Sequence, residues 1–131
     1  MDLITCCIAA VGLHVGSAHF APEPNSEKLN GVNPGIYVKF TNDVVLGTFR
    51  NSHNRQSTYL AYEFKLGNNP TLQPSVLLGG ITGYSAAPVL PLVSPSVLWQ
   101  VSPHTGVRLS YIPKVRIMRA HVVHLSLEYT F

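Results

Sequence analysis

The sequence predicts an all-β fold, a single antiparallel meander β-barrel of about eight strands. Three observations predict it. Apolar and polar residues alternate in short runs, clusters of Gly, Pro, Asn and Asp separate those runs, and no long stretch carries the helical period of about 3.6 residues. The clearest run is Ala120 to Phe131, where Val123, Leu125, Leu127, Tyr129 and Phe131 alternate with His124, Ser126, Glu128 and Thr130. Successive side chains of a strand point to opposite faces, so this run has one apolar and one polar face.

Composition narrows the class. A chain of 131 residues suits one domain. Hydrophobic residues make up 46% and charged ones 11%, well below the ~25% charged of an ordinary soluble domain. So little charge cannot cover a water-facing surface, which favours lipid or a protein partner on one face. The net charge of +3 comes from scattered Lys and Arg with no basic run, so no nucleic-acid partner is expected. Cys6 and Cys7 are adjacent, and neighbouring side chains of a strand point apart, so neither a structural disulfide nor a metal site follows from them. His121 and His124 fall on opposite strand faces, and Gly79-Gly80 has no following helix or Lys. No metal and no cofactor is expected.

The elements follow in order. Residues 1–12 are an apolar lead-in, and 13–131 are the barrel domain. Leu3 to Val11 followed by Gly16-Ser17-Ala18 has the look of a signal-peptide core and cleavage site, but it lacks a basic n-region. Leu13 to Phe20 reads as the first strand, and a proline-bearing loop then leads to a turn at Gly31 to Gly35. Ile36 to Thr41 and Val44 to Ser52 form a hairpin about Asn42-Asp43, and Asn51 to Arg55 makes the next turn. Gln56 to Leu66 alternates cleanly. Leu72 to Tyr84 holds Gly79 and Gly80 at a bulge or close approach, and Pro95 within Leu92 to Val101 implies a bulge or a break in pairing. Val107 to Ile112 and the run from Ala120 complete the count. No stretch reaches the ~18 to 20 apolar residues of a spanning helix, so any membrane insertion must be by barrel.

The polar face gathers Lys39, Thr41, Thr48, Arg50, Ser52, Glu63, Lys65, Ser94, Ser96, Arg108, Ser110, His124, Ser126 and Glu128. These face water in a soluble barrel and the interior in a membrane barrel. Their six charges are too few to solvate an exterior and suit an internal cluster. Ile36, Val38, Phe40, Leu60, Phe64, Val97, Trp99, Leu109, Leu125 and Leu127 then face lipid, and Trp99, Tyr111, Tyr129 and Phe131 supply interfacial aromatics. One candidate site is the rim where His19, Arg50, Asn51 and Ser52 would meet. His19 would act as base toward Ser52, Arg50 would bind phosphate or carboxylate, and Asn51 would orient a head group. Turn chemistry accounts for Asn51 to Asn54 equally well, because Asn and Ser bond their own backbone in turns.

Several resemblances bear on these residues. The closing run, with its aromatic end and apolar residues at every second place, resembles the last strand of outer-membrane barrels, where that pattern is read by the insertion machinery. His19-Phe20, Asn33-Pro34-Gly35, Arg50-Asn51-Ser52, Ser57-Thr58-Tyr59 and Thr82-Gly83-Tyr84 resemble phrases of small proteins encoded by tailed bacteriophages and prophages. The architecture is similar to eight-stranded outer-membrane barrels that bind or edit the acyl chains of lipid A. Members of the deacylase family carry His-x-Ser with a Glu elsewhere, and His124-Leu125-Ser126 has that spacing, with Glu128 on the same strand and the rest of the motif missing. The resemblance implies an outer-membrane location and, if the chain is an enzyme, a lipid A acyl hydrolase or acyltransferase; the rim of His19, Arg50, Asn51 and Ser52 is the first candidate centre, and the row His124, Ser126 and Glu128, which also reads as a structural part of the polar network, is the second. It also implies lipid or lipopolysaccharide as partner. The alternative is a non-catalytic barrel, soluble in the host cytoplasm or carried by the virion, that associates with itself or with phage proteins.

Overall fold

The computed structural model describes residues 7–20, 32–51, 55–67, 69–83, 88–112 and 121–131, with only the backbone for His19, Phe20 and His121. Eight antiparallel strands, β1 (Ile8–Phe20), β2 (Val32–Phe40), β3 (Val44–Arg50), β4 (Gln56–Lys65), β5 (Leu72–Ile81), β6 (Leu90–Gln100), β7 (Thr105–Ile112) and β8 (His121–Thr130), form one closed barrel. Each strand pairs with its sequence neighbours, and β8 returns to pair with β1 from Ala10↔Thr130 to Phe20↔His121. Closure leaves no free sheet edge. Among the described residues no helix is long and apolar enough to cross a membrane, a statement that does not bear on strands.

The two ends of the barrel differ. The stretches between strands are 41–43, 66–71 and 101–104 at the end where β1 begins and β8 finishes, and 21–31, 51–55, 82–89 and 113–120 at the other. Short turns therefore gather at one end and longer connections, with one five-residue exception at 51–55, at the other. Trp99, Tyr129, Phe131, Tyr62 and Phe64 stand exposed on the outer wall toward the short-turn end. Tyr62 and Phe64 meet with ring centroids 4.6 Å apart.

Burial alternates along the strands, as a closed wall requires, except beside the register shift of β1 and at Gly79 of β5, which has no side chain to bury. β4 puts Ser57, Tyr59, Ala61 and Glu63 inside and Thr58, Leu60, Tyr62 and Phe64 outside. Every residue expected to face lipid lies on the outer wall. In β3 the expected faces are reversed: Val45, Gly47 and Phe49 point inward, whereas Thr48 and Arg50 point outward. The Thr48 hydroxyl is satisfied there by the Ser57 carbonyl (2.9 Å) and by Gln56 Nε2 (2.6 Å). The turn expected at Gly31 to Gly35 also differs, because Val32 to Gly35 belong to β2 and Asn33 is buried. The first strand begins at Ile8 rather than Leu13. Cys7, immediately before it, is helical and disulfide-bonded, and the strand-alternation argument does not apply to such a residue. β5 has no register shift, so Gly79 marks a close approach, to the Leu60 carbonyl, and not a bulge. Among the described residues the pairing of β6 with β7 ends at Ser96, next to Pro95, whereas the pairing with β5 runs through Pro95 without a shift.

Two inward glycines set the packing of the interior. Gly12 pairs with Tyr37 and Gly47 with Tyr59, and a Cβ at either position would collide with the tyrosine ring. Each ring lies flat across its neighbour strand because that strand has no side chain there.

Candidate functional site

The interior is built in layers. Toward the short-turn end Lys39, Glu63, Arg108 and Glu128, from four strands and each at most 7% exposed, form one ion cluster. Arg108 NH1 lies 2.9 Å from Glu63 Oε2, and NH2 lies 3.0 Å from Glu128 Oε1. Lys39 Nζ bridges the same two carboxylates at 3.2 and 3.1 Å. Tyr37 donates its hydroxyl to Glu128 Oε1 (2.6 Å), and Ser75 donates to Glu63 Oε2 (3.0 Å). Ser96 accepts from Arg108 NH1 at 2.8 Å. Two cations balance two carboxylates, and the surrounding hydroxyls take up remaining hydrogen-bonding capacity, the condition under which buried charge is tolerated.

Above the cluster lies a layer of rings. A register shift in β1 between His14 and Gly16, present against both β2 and β8, leaves Val15 outside and His14 inside. His14 Nδ1 is 2.8 Å from His124 Nε2, and its Nε2 is 2.8 Å from the Tyr59 hydroxyl. If Tyr59 donates to His14, then His14 donates to His124; the reverse tautomers are equally self-consistent. The His14 ring packs 5.0 Å from both Tyr37 and Phe49, with Phe49 also 6.0 Å from Tyr59. Between the layers remains a cavity of about 60 Å³, room for water or for the tip of an apolar group and far too little for a channel.

The sequence candidates fall in different places. On β8 the inward row His124, Ser126, Glu128 spans both layers: His124 joins the rings, Glu128 the ion cluster, and Ser126 sits between them, opposite His14 on β1 and Arg108 on β7. Glu128 is engaged by Arg108, Lys39 and Tyr37, and both ring nitrogens of His14 by other side chains. At the long-connection end Asn51 is fully buried, donating to Ser57 Oγ (2.9 Å) and the Gly83 carbonyl (2.9 Å) and accepting from the Arg55 N–H (3.1 Å). Arg50 is exposed on the outer wall, and its carbonyl accepts from Asn33 Nδ2 at 2.9 Å. The backbone of His19 pairs with Val122. Ser52 lies outside the described residues.

Sequence reasoning missed His14, Tyr37 and Tyr59 as members of the interior centre. The usable signal was Ala10, Gly12 and His14 at one parity, which reads as a strand face once the apolar lead-in is taken as extended.

No protein-family model matches the chain, and no curated protein matches it in sequence. Among solved structures it is similar to the solution NMR structure of the de novo designed TMB2.3, with a TM-score of 0.61 at 12% identity over 95% of each chain. A structure described as "De novo design of transmembrane beta-barrels" gives 0.61 at 14% identity, covering 95% of this chain and 94% of that one. The crystal structure of Neisserial surface protein A gives 0.39 at 15% identity, covering 95% and 96%. At such identities the two stronger likenesses concern the fold. The chain is a closed eight-stranded antiparallel barrel with the architecture of the designed transmembrane barrels.

Proposed function

We propose that the protein is a membrane-spanning barrel of outer-membrane type that acts at the cell envelope by contact with lipid or lipopolysaccharide. The observation that carries this reading is the inverted placement of charge. Leu13, Ile36 and Leu60 on the outer wall are 55%, 57% and 58% exposed, while the four cluster charges are inside. In water such a wall would be an apolar surface far larger than the few hundred Å² that soluble monomers tolerate. In a bilayer it is the expected lipid-facing belt. The aromatics gathered at the short-turn end suit an interfacial girdle, and short turns at one end with longer connections at the other suit an outer-membrane barrel.

The filled interior argues against conduction, so the reading is one of binding through the outer wall and the long-connection end. Committed partners at Glu128 and His14 favour binding over acyl hydrolysis or transfer, which would need a free base beside Ser126. The phrases from His19-Phe20 to Thr82-Gly83-Tyr84 that resemble phage proteins support a phage or prophage source.

Fractionation of Gram-negative cells expressing the full chain tests the reading. A band in the outer-membrane fraction whose migration changes on boiling supports it, and recovery in the soluble fraction or in virions overturns it. Mass spectrometry of lipid A from the same cells separates the roles, with unchanged acylation expected for binding and a lost or added chain for an enzyme.

A further inference from the structure

The outer wall changes chemistry in one sector. Along the β3–β4 ladder the outward pairs, counted from the short-turn end, are Val44↔Tyr62, Leu46↔Leu60, Thr48↔Thr58 and Arg50↔Gln56. Two apolar pairs are followed by two polar ones. Thr82, just past β5, extends the polar row: its N–H donates to the Thr58 carbonyl (3.0 Å) and its Oγ1 accepts from the Thr58 N–H (3.0 Å). On either side the wall stays apolar, with Ile36 of β2, opposite Thr48, and Val89, beside the start of β6, both exposed. The exposed apolar stretch of β4 and its end, from Leu60 to Leu66, covers about 20 Å along a tilted strand. That is less than the ~25 Å height of a lipid-facing band, so in a bilayer the head groups on this side come down the wall to Thr48 and Arg50.

Most polar side chains of the sector satisfy one another. Thr48 Oγ1 donates to the Ser57 carbonyl (2.9 Å) and accepts from Gln56 Nε2 (2.6 Å), and Thr82 Oγ1 donates to the Thr58 carbonyl (3.2 Å). Gln56 is thereby pinned opposite Arg50 with a second Nε2 hydrogen left to donate. Arg50 is different. Its guanidinium has no acidic partner among the described residues: Glu63 and Glu128 are engaged inside by Lys39 and Arg108, and Asp43 pairs with Lys65 (3.5 Å) at the opposite end. A guanidinium presents its donors in a rigid fork that matches two oxygens of a phosphate. The charge of Arg50 is therefore met from outside the barrel.

We infer that the outer face of β3 and β4 at the long-connection end is a head-group site, where Arg50 forks onto the phosphate of one anionic bilayer lipid, Gln56 donates beside it, and the lipid's chains lie along Leu46 and Leu60. The inference rests on the membrane-spanning reading and deepens it. The ligand is a lipid and not a free anion because the apolar pairs next to this polar row are continuous with the exposed outer belt and take hydrocarbon. It is anionic overall because a zwitterionic head group brings an ammonium, and no carboxylate among the described residues of this sector receives it. The rim expected to join Arg50 to Asn51 is thus divided between the two sides of the wall. Asn51 is engaged inside by Ser57 and Gly83, and Arg50 acts outside with Gln56.

The full chain is refolded into phosphatidylcholine vesicles doped with phosphatidic acid that carries a diazirine beside the carbonyl of one acyl chain, or with phosphatidylcholine carrying the same group. After irradiation, adducts are mapped by mass spectrometry. Expected at Leu46, Thr58 and Leu60 is an excess of phosphatidic acid over phosphatidylcholine adducts of about threefold, the weight of one exposed ion pair, shrinking as salt rises. Leu109 and Leu125, on the far side of the belt, should show none. Arg50→Gln should remove the excess while flotation and heat-modifiable migration are kept. Gln56→Glu supplies a carboxylate opposite Arg50, within cross-strand reach, and should remove the excess with Arg50 in place, which keeps the test decisive if Arg50→Gln fails to insert. No excess, an equal excess all round the belt, or one that survives both substitutions overturns the site and leaves the membrane reading intact. Loss of the excess on adding inorganic phosphate at constant ionic strength assigns Arg50 to a free anion and overturns the lipid. Protein that does not float with the vesicles sinks the membrane reading and the site together.

Discussion

Arg108 and Glu128 face each other inside the barrel with Nε 3.1 Å and NH2 3.0 Å from one carboxylate oxygen, Oε1. The same guanidinium reaches Glu63, so one side chain pairs with two acids from two other strands. Removing it leaves both carboxylates to Lys39 alone. Arg108→Met is expected to cost ~3–5 kcal/mol, the usual penalty for leaving a buried charge without its partner. Glu128→Leu should cost a similar amount, but the double replacement should cost less than the sum, because Lys39 and Glu63 remain as a neutral pair. Urea unfolding of the refolded barrels, followed by Trp99 fluorescence, measures the cycle; strict additivity would contradict a shared network.

The lumen is occluded by that cluster and by the ring layer above it. Protein reconstituted into planar bilayers should show no unitary openings, since a cavity of about 60 Å³ offers no continuous water path. Regular conductance steps from pure folded protein would refute the packed interior.

The tyrosine-over-glycine contacts predict a size threshold at residue 47. Gly47→Ala places a methyl group against the Tyr59 ring and should destabilise by ~1–3 kcal/mol through overpacking. Tyr59→Leu in the same chain should recover part of that loss by making room. The two-variant comparison by urea unfolding decides the matter, and a neutral Gly47→Ala would show that the ring does not lie where described.

Leu60 lies near the middle of β4 on the outer wall. Leu60→Arg should cost ~2–4 kcal/mol in lipid vesicles, as a charge at bilayer midplane does. On a water-facing wall the same change would be neutral and would raise solubility. Folding yield into vesicles, read from heat-modifiable migration, separates the two, and the exposed Arg50→Ala serves as a control with little effect.

The barrel was legible where one parity is uniformly apolar, as in β4 and β8. There the period of two gives both the strand and its faces. β3 was misread because Val44, Val45, Leu46 and Phe49 place apolar groups at both parities, and only contact with the ring layer selects Val45 and Phe49 for the inside. The interior charges were legible as a polar face, but their pairing was not, since Lys39 and Glu128 meet across 89 residues of sequence. His14 escaped notice for a related reason: its partner lies 110 residues away, and the register shift beside it changes the parity of β1 midway. Local pattern fixes faces, and only closure of the barrel decides which inward residues meet.

The pairing of β1 with β8, extended by the Phe131 N–H to the Ala9 carbonyl at 3.0 Å, joins the most distant strands of the sheet. Until β8 arrives, a growing chain is an open ribbon with two unpaired edges and an apolar outer face, the form most prone to sticking to other chains. Non-local closure of this kind is slow, because loop-closure entropy is spent before the last ladder repays it. Assembly is therefore expected to be rate-limited by this final zip, and a chain cut before β8 should aggregate at synthesis, however sound its first seven strands.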